Sequence, residues 1–345
     1  MDKMYSFDEI GLIAATISEV SSRKNVCTSI SEDSNKLPIF ISPMTCLVNQ
    51  KNFEYLNTSR MIPILPVTYD NWEYRKEMVE KGYWVAMTIK EFEKFTQSAI
   101  LTDSIKYHVY HICIDTAQGH MRKLYELVKE VKSKHRNQFE IMIGNIMNPE
   151  AYIYCMDAMV DYVRVSVGTG SGCITSVNTG FHASMPWILS EISKIKSDIK
   201  SGNLWVETYY PTKVIADGGI DCSSKLIKSL ALGADYVMIG SWFGNTGDAC
   251  SSVVNPLLST TERRWYYGQA SEQGQLDRFG EVKNKAEGIK KIIDIKYNNI
   301  NELEKEIDGD LRSAMSYAGA LELSNFIGNV KYRVQTINEF KTYNK

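Results

Sequence analysis

The sequence predicts an α/β chain folded as a (β/α)8, or TIM, barrel, and three observations carry that prediction. Short apolar or β-branched runs alternate with amphipathic segments along most of the chain. The runs number eight. They fall within roughly 200 residues, near the size of about 250 that such a barrel takes. A doubly wound open sheet shows the same alternation but gives no reason to stop at eight.

Taken in order, the predicted strands are residues 37–41, 62–67, 84–89, 109–114, 139–143, 162–167, 213–216 and 236–239. Each is a short, nearly continuous apolar run, as expected of a strand buried on both faces. Residues 121–134, 187–196 and 223–232 show apolar positions at helical spacing with charges between them. After the last run comes a long excursion, residues 242–302, read as a structureless, mobile flap. A C-terminal helical segment near residues 311–326 follows it. No linker or repeat interrupts the pattern, so residues 1–345 read as one domain.

Composition narrows the class. At 345 residues and 44% hydrophobic content the chain can bury a large core. A net charge of -2 argues against nucleic acid as the partner. The N-terminus has no signal-peptide core, and nowhere do about 18 apolar residues run together, so no membrane contact and a cytoplasmic location are expected. The seven cysteines are scattered and odd in number, which indicates neither a disulfide framework nor a zinc site.

In a barrel, chemistry belongs on the loops that follow the strands. Residues 162–167 lead into Gly168-Thr169-Gly170-Ser171-Gly172-Cys173-Ile174-Thr175. The glycines uncover main-chain N–H groups and let backbone approach a ligand, so the turn would present the Cys173 thiol beside a phosphate ester. A lone cysteine is most often a small buried hydrophobe; its neighbours carry the functional reading. Asp217-Gly218-Gly219 and Gly240-Ser241 follow the last two runs, where barrels commonly hold a phosphate. Asp-Gly-Gly alone also makes an ordinary capped turn. Asp115-Thr116-Ala117-Gln118-Gly119-His120 and Gly144-Asn145 follow two earlier runs, and His120 reads equally as a packing residue or a ligand.

Together and in this order, the cysteine turn, the Asp-Gly-Gly and the Gly-Ser resemble the IMP dehydrogenase and GMP reductase family of purine-nucleotide oxidoreductases. The resemblance extends from Phe7-Asp8-Glu9-Ile10 through Ile215-Ala216-Asp217-Gly218-Gly219-Ile220 to Leu311-Arg312-Ser313-Ala314-Met315. It implies a TIM barrel, a homotetramer, and Cys173 attacking C2 of the purine. The dehydrogenase branch carries a regulatory insertion after the second strand, where only residues 68–82 stand here. It also carries a long flap with an Arg-Tyr pair, whereas residues 268–287 are short and Arg278-Phe279 lacks the phenol. Tyr267-Gly268-Gln269-Ala270-Ser271-Glu272, Asn284-Lys285-Ala286-Glu287-Gly288 and Thr179-Gly180-Phe181 are similar to the reductase branch of Gram-positive bacteria. The implied reaction is reductive deamination of GMP to IMP and ammonia by NADPH, through a thioimidate on Cys173.

The resemblance also implies roles. Thr175 and Glu287 handle the proton of the departing amine. Asp217 accepts from the ribose hydroxyls, and Met44, Ser171, Gly218, Gly219, Gly240, Ser241, Tyr267 and Gly268 hold the rest of the nucleotide. Asp115, Thr116 and Ala117 face the cofactor, while carbonyls of Gly168, Gly170 and Cys173 ligate a monovalent cation such as K+. Read without the resemblance, Glu287 is a solvated surface residue, Thr175 a helix cap and Arg278 part of a mobile, solvated loop. The chain departs from the family pattern at Thr45, where Asp or Gln is usual, at Pro66-Val67-Thr68, which replaces a His and a basic residue, and at Gly172, which replaces valine and adds backbone freedom. Two polar contacts are thereby expected to be missing. Two alternatives stay open: oxidation of IMP with NAD, and a catalytically silent barrel that binds a purine nucleotide.

Overall fold

A computed structural model describes residues 4–31, 33–99, 109–116, 118–135, 137–254 and 262–335. After a short first strand, β1 (Ile10–Leu12), come eight parallel strands: β2 (Ile39–Ile41), β3 (Ile62–Pro63), β4 (Val85–Met87), β5 (Tyr110–Ile114), β6 (Phe139–Ile146), β7 (Tyr162–Val165), β8 (Lys213–Asp217) and β9 (Tyr236–Ile239). Their order is β3-β2-β9-β8-β7-β6-β5-β4. The ring closes just beyond β3, where Leu65 bridges Val85 in parallel. There the Leu65 N–H donates to the Trp84 carbonyl at 3.0 Å and the Ala86 N–H to the Leu65 carbonyl at 2.8 Å. The eight predicted runs correspond one to one with the barrel strands.

Inside the ring a separate cluster includes Phe40, Ile64, Trp84, Met142, Tyr162, Tyr236 and Met238. Phe40 meets Trp84 edge-on, ring centroids 5.5 Å apart, and lies 5.2 Å from Tyr236. The barrel is therefore filled by side chains, and the loops at the C-terminal strand ends are free to carry chemistry. Outside it, the helices Arg122–His135, Met185–Lys200 and Ser223–Ala231 turn Leu124 and Val128, Ile188 and Ile192, and Leu226 and Leu230 onto the sheet. Those spacings form one apolar stripe per helix. Among the described residues no helix is long and apolar enough to cross a membrane.

The excursion is not structureless. Its described part holds an antiparallel sheet, β10 (Val253–Val254), β11 (Arg263–Tyr267) and β12 (Lys290–Asp294), with the helix Glu272–Phe279 between the last two. Burial alternates along β11, with Arg264 and Tyr266 buried and their neighbours not. Charged pairs such as Arg263-Arg264 and Lys290-Lys291 hide that alternation in the sequence. The closing helix also begins earlier than predicted, at Ile300, where the Asn299 side chain accepts from the Glu302 N–H. It stops at Gly319, whose φ of 72° suits glycine, and Leu323–Phe326 is a separate short helix. Last comes β13 (Tyr332–Val334), which pairs antiparallel with β1.

The closing helix is tied to the rest of the barrel through Asp308. Its carboxylate meets Arg60 Nη1 at 2.9 Å and Arg312 Nε at 2.7 Å, and accepts from the Thr28 hydroxyl. Burial works to raise this carboxyl, yet the three partners outweigh it and hold the value down at about 2.

Candidate active site

Beyond β7 the cysteine turn crosses the C-terminal mouth of the barrel. The Cys173 N–H closes the turn on the Gly170 carbonyl at 3.0 Å. The segment that enters β12 is then stitched alongside: Ile174 N–H donates to the Glu287 carbonyl at 3.0 Å and Ile289 N–H to the Gly172 carbonyl at 2.9 Å. Cys173 and Gly288 form an antiparallel bridge. This backbone pairing sets three side chains in line. The Cys173 thiol donates to Thr175 Oγ1 at 3.3 Å, and that hydroxyl donates to Glu287 Oε2 at 2.9 Å. A donor chain running from a thiol to a carboxylate is a route for a proton. Ile174 occupies the cap of the helix Thr175–Thr179, so the Thr175 hydroxyl is spent on Glu287 and not on capping. Glu287 is exposed, as its Lys-rich surroundings suggested, but it is engaged.

The two glycine turns stand next to the cysteine turn. Gly218 and Gly219 have φ of 113° and 74°, and a Cβ on them would lie 2.8 Å from Thr169 Oγ1 and 3.0 Å from the Thr169 carbonyl oxygen. Only glycine permits that conformation and that approach. A Cβ on Gly240 would stand 2.9 Å from the Tyr266 hydroxyl, 3.5 Å from Met44 Sδ and 3.7 Å from Ser42 Oγ. Ser171 is a hydrogen-bonding neighbour of Tyr266. Ser241 opens the short helix Ser241–Gly244. With no side chain at Gly240, the space beside its α-carbon is bordered by the hydroxyls of Tyr266 and Ser42 and by the Met44 thioether, and hydroxyl donors suit an oxyanion.

Tyr267, predicted beside this space, faces elsewhere: its hydroxyl donates to Asp277 Oδ2 at 2.8 Å. Tyr266 stands at Gly240 instead, because successive residues of β11 point to opposite faces. Gly268 contributes through its backbone, its α-carbon side lying against the Gly172 carbonyl.

Asp217 ends β8. Burial raises its carboxyl; Arg164, with Nη1 at 3.6 Å, and Asn145, whose Nδ2 donates at 3.0 Å, oppose that rise only in part. At the end of β5, Asp115 Oδ2 meets Arg278 Nη1 at 2.7 Å, both side chains being largely buried. Arg278 Nη2 also donates to the Asp115 carbonyl at 2.9 Å. Arg278 thus sits in the helix Glu272–Phe279 and reaches across the mouth, in place of the mobile, solvated loop that was expected. The Thr116 hydroxyl turns to the carbonyls of Gln118 and Gly144, at 2.9 and 3.1 Å. Ala117 lies outside the described residues. His120 Nε2 accepts from the Met147 N–H at 2.8 Å, a structural role.

The three departures acquire a physical account. Gly172 is buried, and a Cβ there would lie 3.3 Å from the Tyr266 ring and 3.4 Å from the Gly268 nitrogen. It admits Tyr266 and leaves the loop pinned by Ile289, not loosened. Thr45 is not short of polar contacts: its hydroxyl donates to Asp277 Oδ2 at 2.7 Å, and its N–H to Gln269 Oε1 at 3.1 Å. At Pro66-Val67-Thr68, Asn71 caps the turn locally, accepting from the Thr68 N–H at 3.1 Å. Tyr266, Gln269 and Asp277 are residues that sequence reasoning did not single out; all three come from the excursion, whose strands and helix were not read.

Comparison with known proteins agrees with this geometry. A model of the IMP dehydrogenase / GMP reductase domain matches residues 4–342. Similar proteins, each named GMP reductase, come from Streptococcus agalactiae serotype Ia, Shouchella clausii and Mesoplasma florum. They are 28%, 29% and 28% identical, over 93%, 97% and 98% of this chain and 92%, 96% and 100% of their own length. An eight-stranded parallel barrel with a cysteine turn and two glycine turns at one mouth, matched by that model over nearly its whole length, makes the chain a member of the IMP dehydrogenase / GMP reductase family.

Proposed function

We propose that this chain catalyses the NADPH-dependent reductive deamination of GMP to IMP and ammonia. The observation that carries the reading is the donor chain Cys173–Thr175–Glu287. In the proposed reaction Sγ of Cys173 gives up its proton along Thr175 toward Glu287 and bonds to C2 of the purine. The same pair returns a proton to the 2-amino group, since an amine leaves readily only when protonated. The C2–N bond breaks, ammonia departs, and a thioimidate joins Sγ to C2. Bound NADPH would supply the hydride to C2. The C2–S bond then breaks, which restores the thiolate and releases IMP. The names of the relatives support this direction.

The rest of the site is read in the same sense. Asp217 would accept from the ribose hydroxyls, and the amides of Gly218, Gly219, Gly240 and Ser241, with Ser171, Met44, Gly268 and the Tyr266 hydroxyl, would surround the phosphate. Asp115, at the end of β5 and paired with Arg278, would face the cofactor. Thr116 would line the same slot. The carbonyls of Gly168, Gly170 and Cys173 would hold K+, of which Gly170 already accepts from Cys173 N–H. Residues 242–302 would act as a flap within the single domain, in a cytoplasmic homotetramer.

The test is NADPH oxidation with a panel of purine nucleotides. GMP should be consumed with IMP and ammonia formed; NAD reduction with IMP, or binding without turnover, overturns the reading. Cys173→Ala should abolish turnover, while Thr175→Ala and Glu287→Gln should each lower kcat by about 10²- to 10⁴-fold.

A further inference from the structure

We infer that Arg164 is a positioning residue, a buried counter-ion shared by Asp217 and Asp115 that keeps both carboxylates charged beneath the mouth. The inference rests on the nucleotide reading above. Side chains alternate along a strand, so the residue two beyond an inward-facing one points inward again. Cys113, Met142, Tyr162 and Ile215 fill the inside of the ring on β5 to β8. Two residues further toward the mouth stand Asp115, Gly144, Arg164 and Asp217. Asp115 still continues the ladder, its N–H donating to the Met87 carbonyl at 2.8 Å. The uppermost inward layer therefore sets an arginine between two carboxylates. Gly144 leaves it room: a Cβ there would lie 2.6 Å from Arg164 Cβ.

The Arg164 side chain is 8% exposed, and its Nη1 lies 3.6 Å from Asp217 Oδ2, a contact of charges too long for a hydrogen bond. Its Nε is buried with no hydrogen-bond partner. Burial works against the guanidinium charge, but Cys113, Asp217 and Asp115 outweigh it and hold the charge in place. At Asp217, burial raises the carboxyl, Arg164 and Asn145 oppose the rise, and Asp115 adds to it. Tyr266 also feels the Asp217 charge, but burial pushes its hydroxyl above the ordinary range and it stays neutral. Asp115 has a second cation, Arg278, at 2.7 Å, whereas Asp217 has besides Arg164 only the neutral Asn145 amide at 3.0 Å as a partner. Without Arg164, two carboxylates would share one buried layer, and like charges so placed push one of them to take a proton. Asp217 is the one to take it, since Arg278 stays with Asp115. A protonated Asp217 loses acceptor capacity for the ribose hydroxyls.

The test follows GMP binding by calorimetry as a function of pH. Titration of the GMP phosphate is common to every variant and cancels in their comparison. Arg164→Gln should move the acid limb upward by about one pH unit, so that affinity on that limb falls about tenfold. In the Arg164→Gln background, Asp115→Asn should bring the limb back down, because it removes the carboxylate left beside Asp217. With Asp217→Asn in place, Arg164→Gln should move nothing. A limb unmoved by Arg164→Gln, or moved equally with and without the Asp217 carboxylate, overturns the proposal. A uniform loss of affinity at every pH assigns Arg164 to packing and overturns it as well. If Arg164→Gln fails to fold, Arg164→Lys decides: its charge, withdrawn on a shorter side chain, should shift the limb the same way by a smaller amount, and an unmoved limb refutes the inference. Parent enzyme that binds GMP without turning it over sinks the reductase reading alone, since the limb is read from binding; parent that binds no purine nucleotide sinks both.

Discussion

Asp217 has a carboxyl that burial raises, with Arg164 and Asn145 opposing and Asp115 adding to the rise. As pH falls through a raised value, the carboxylate takes its proton sooner than an exposed one and loses an acceptor that the ribose would need. The KM for GMP should therefore climb on the acid side at a higher pH than an ordinary carboxylate would dictate. Asp217→Asn should flatten that limb, and a profile unchanged by the substitution would refute the assignment. At this scale the sequence was readable where a residue sits in a glycine turn, as Cys173, Asp217 and Gly240 do, because a turn fixes its own geometry. It was unreadable at Tyr266 and Tyr267. Adjacent residues on a strand face opposite ways, so choosing between them needs the strand to be recognised first.

The helix Glu272–Phe279 is an element that the sequence did not announce. It has eight residues, with Gly274 inside it and Gly280 capping its end. Its start is fixed by Ser271, whose hydroxyl accepts from the Gly274 N–H at 3.1 Å. A Cβ on Gly274 would fall 2.5 Å from the Gly268 carbonyl oxygen and 2.6 Å from that of Gln269. Those are backbone atoms of the turn that flanks the cysteine loop, so they cannot step aside alone. Gly274→Ala should cost about 1–3 kcal/mol in urea denaturation and lower kcat/KM with it; a fully stable, fully active variant would show that the turn yields freely. The barrel strands, by contrast, were legible as elements because a parallel sheet covered on both faces forces continuous apolar runs. Short strands such as β10 and β13, with exposed side chains, obey no such constraint.

Across the whole molecule, Asp308 joins segments far apart in the chain: Thr28, Arg60 and the closing helix. Its folded value of about 2 lies below the ordinary 3.8. A depressed carboxyl contributes stability that is complete above the ordinary value and lost as pH falls toward the folded one. Asp308→Asn should then cost about 2 kcal/mol at neutral pH, and the gap between variant and parent should close below pH 3.8; a gap independent of pH would assign the effect to packing. The sequence announced the eight strands of the ring but not its seam, because closure between Leu65 and Val85 depends on two chain segments meeting with the right stagger.

The bridge between Cys173 and Gly288 divides the proposed chemistry between two parts of the chain that fold by different rules. The thiol belongs to the barrel, while its carboxylate arrives with the small sheet and helix that follow β9. Local opening of that subassembly would leave the barrel and the Cys173–Thr175 pair in place but remove the carboxylate at its end, so the proposed proton transfer would depend on docking. On the proposed reading the proton route is complete only once that last piece of the fold is in place.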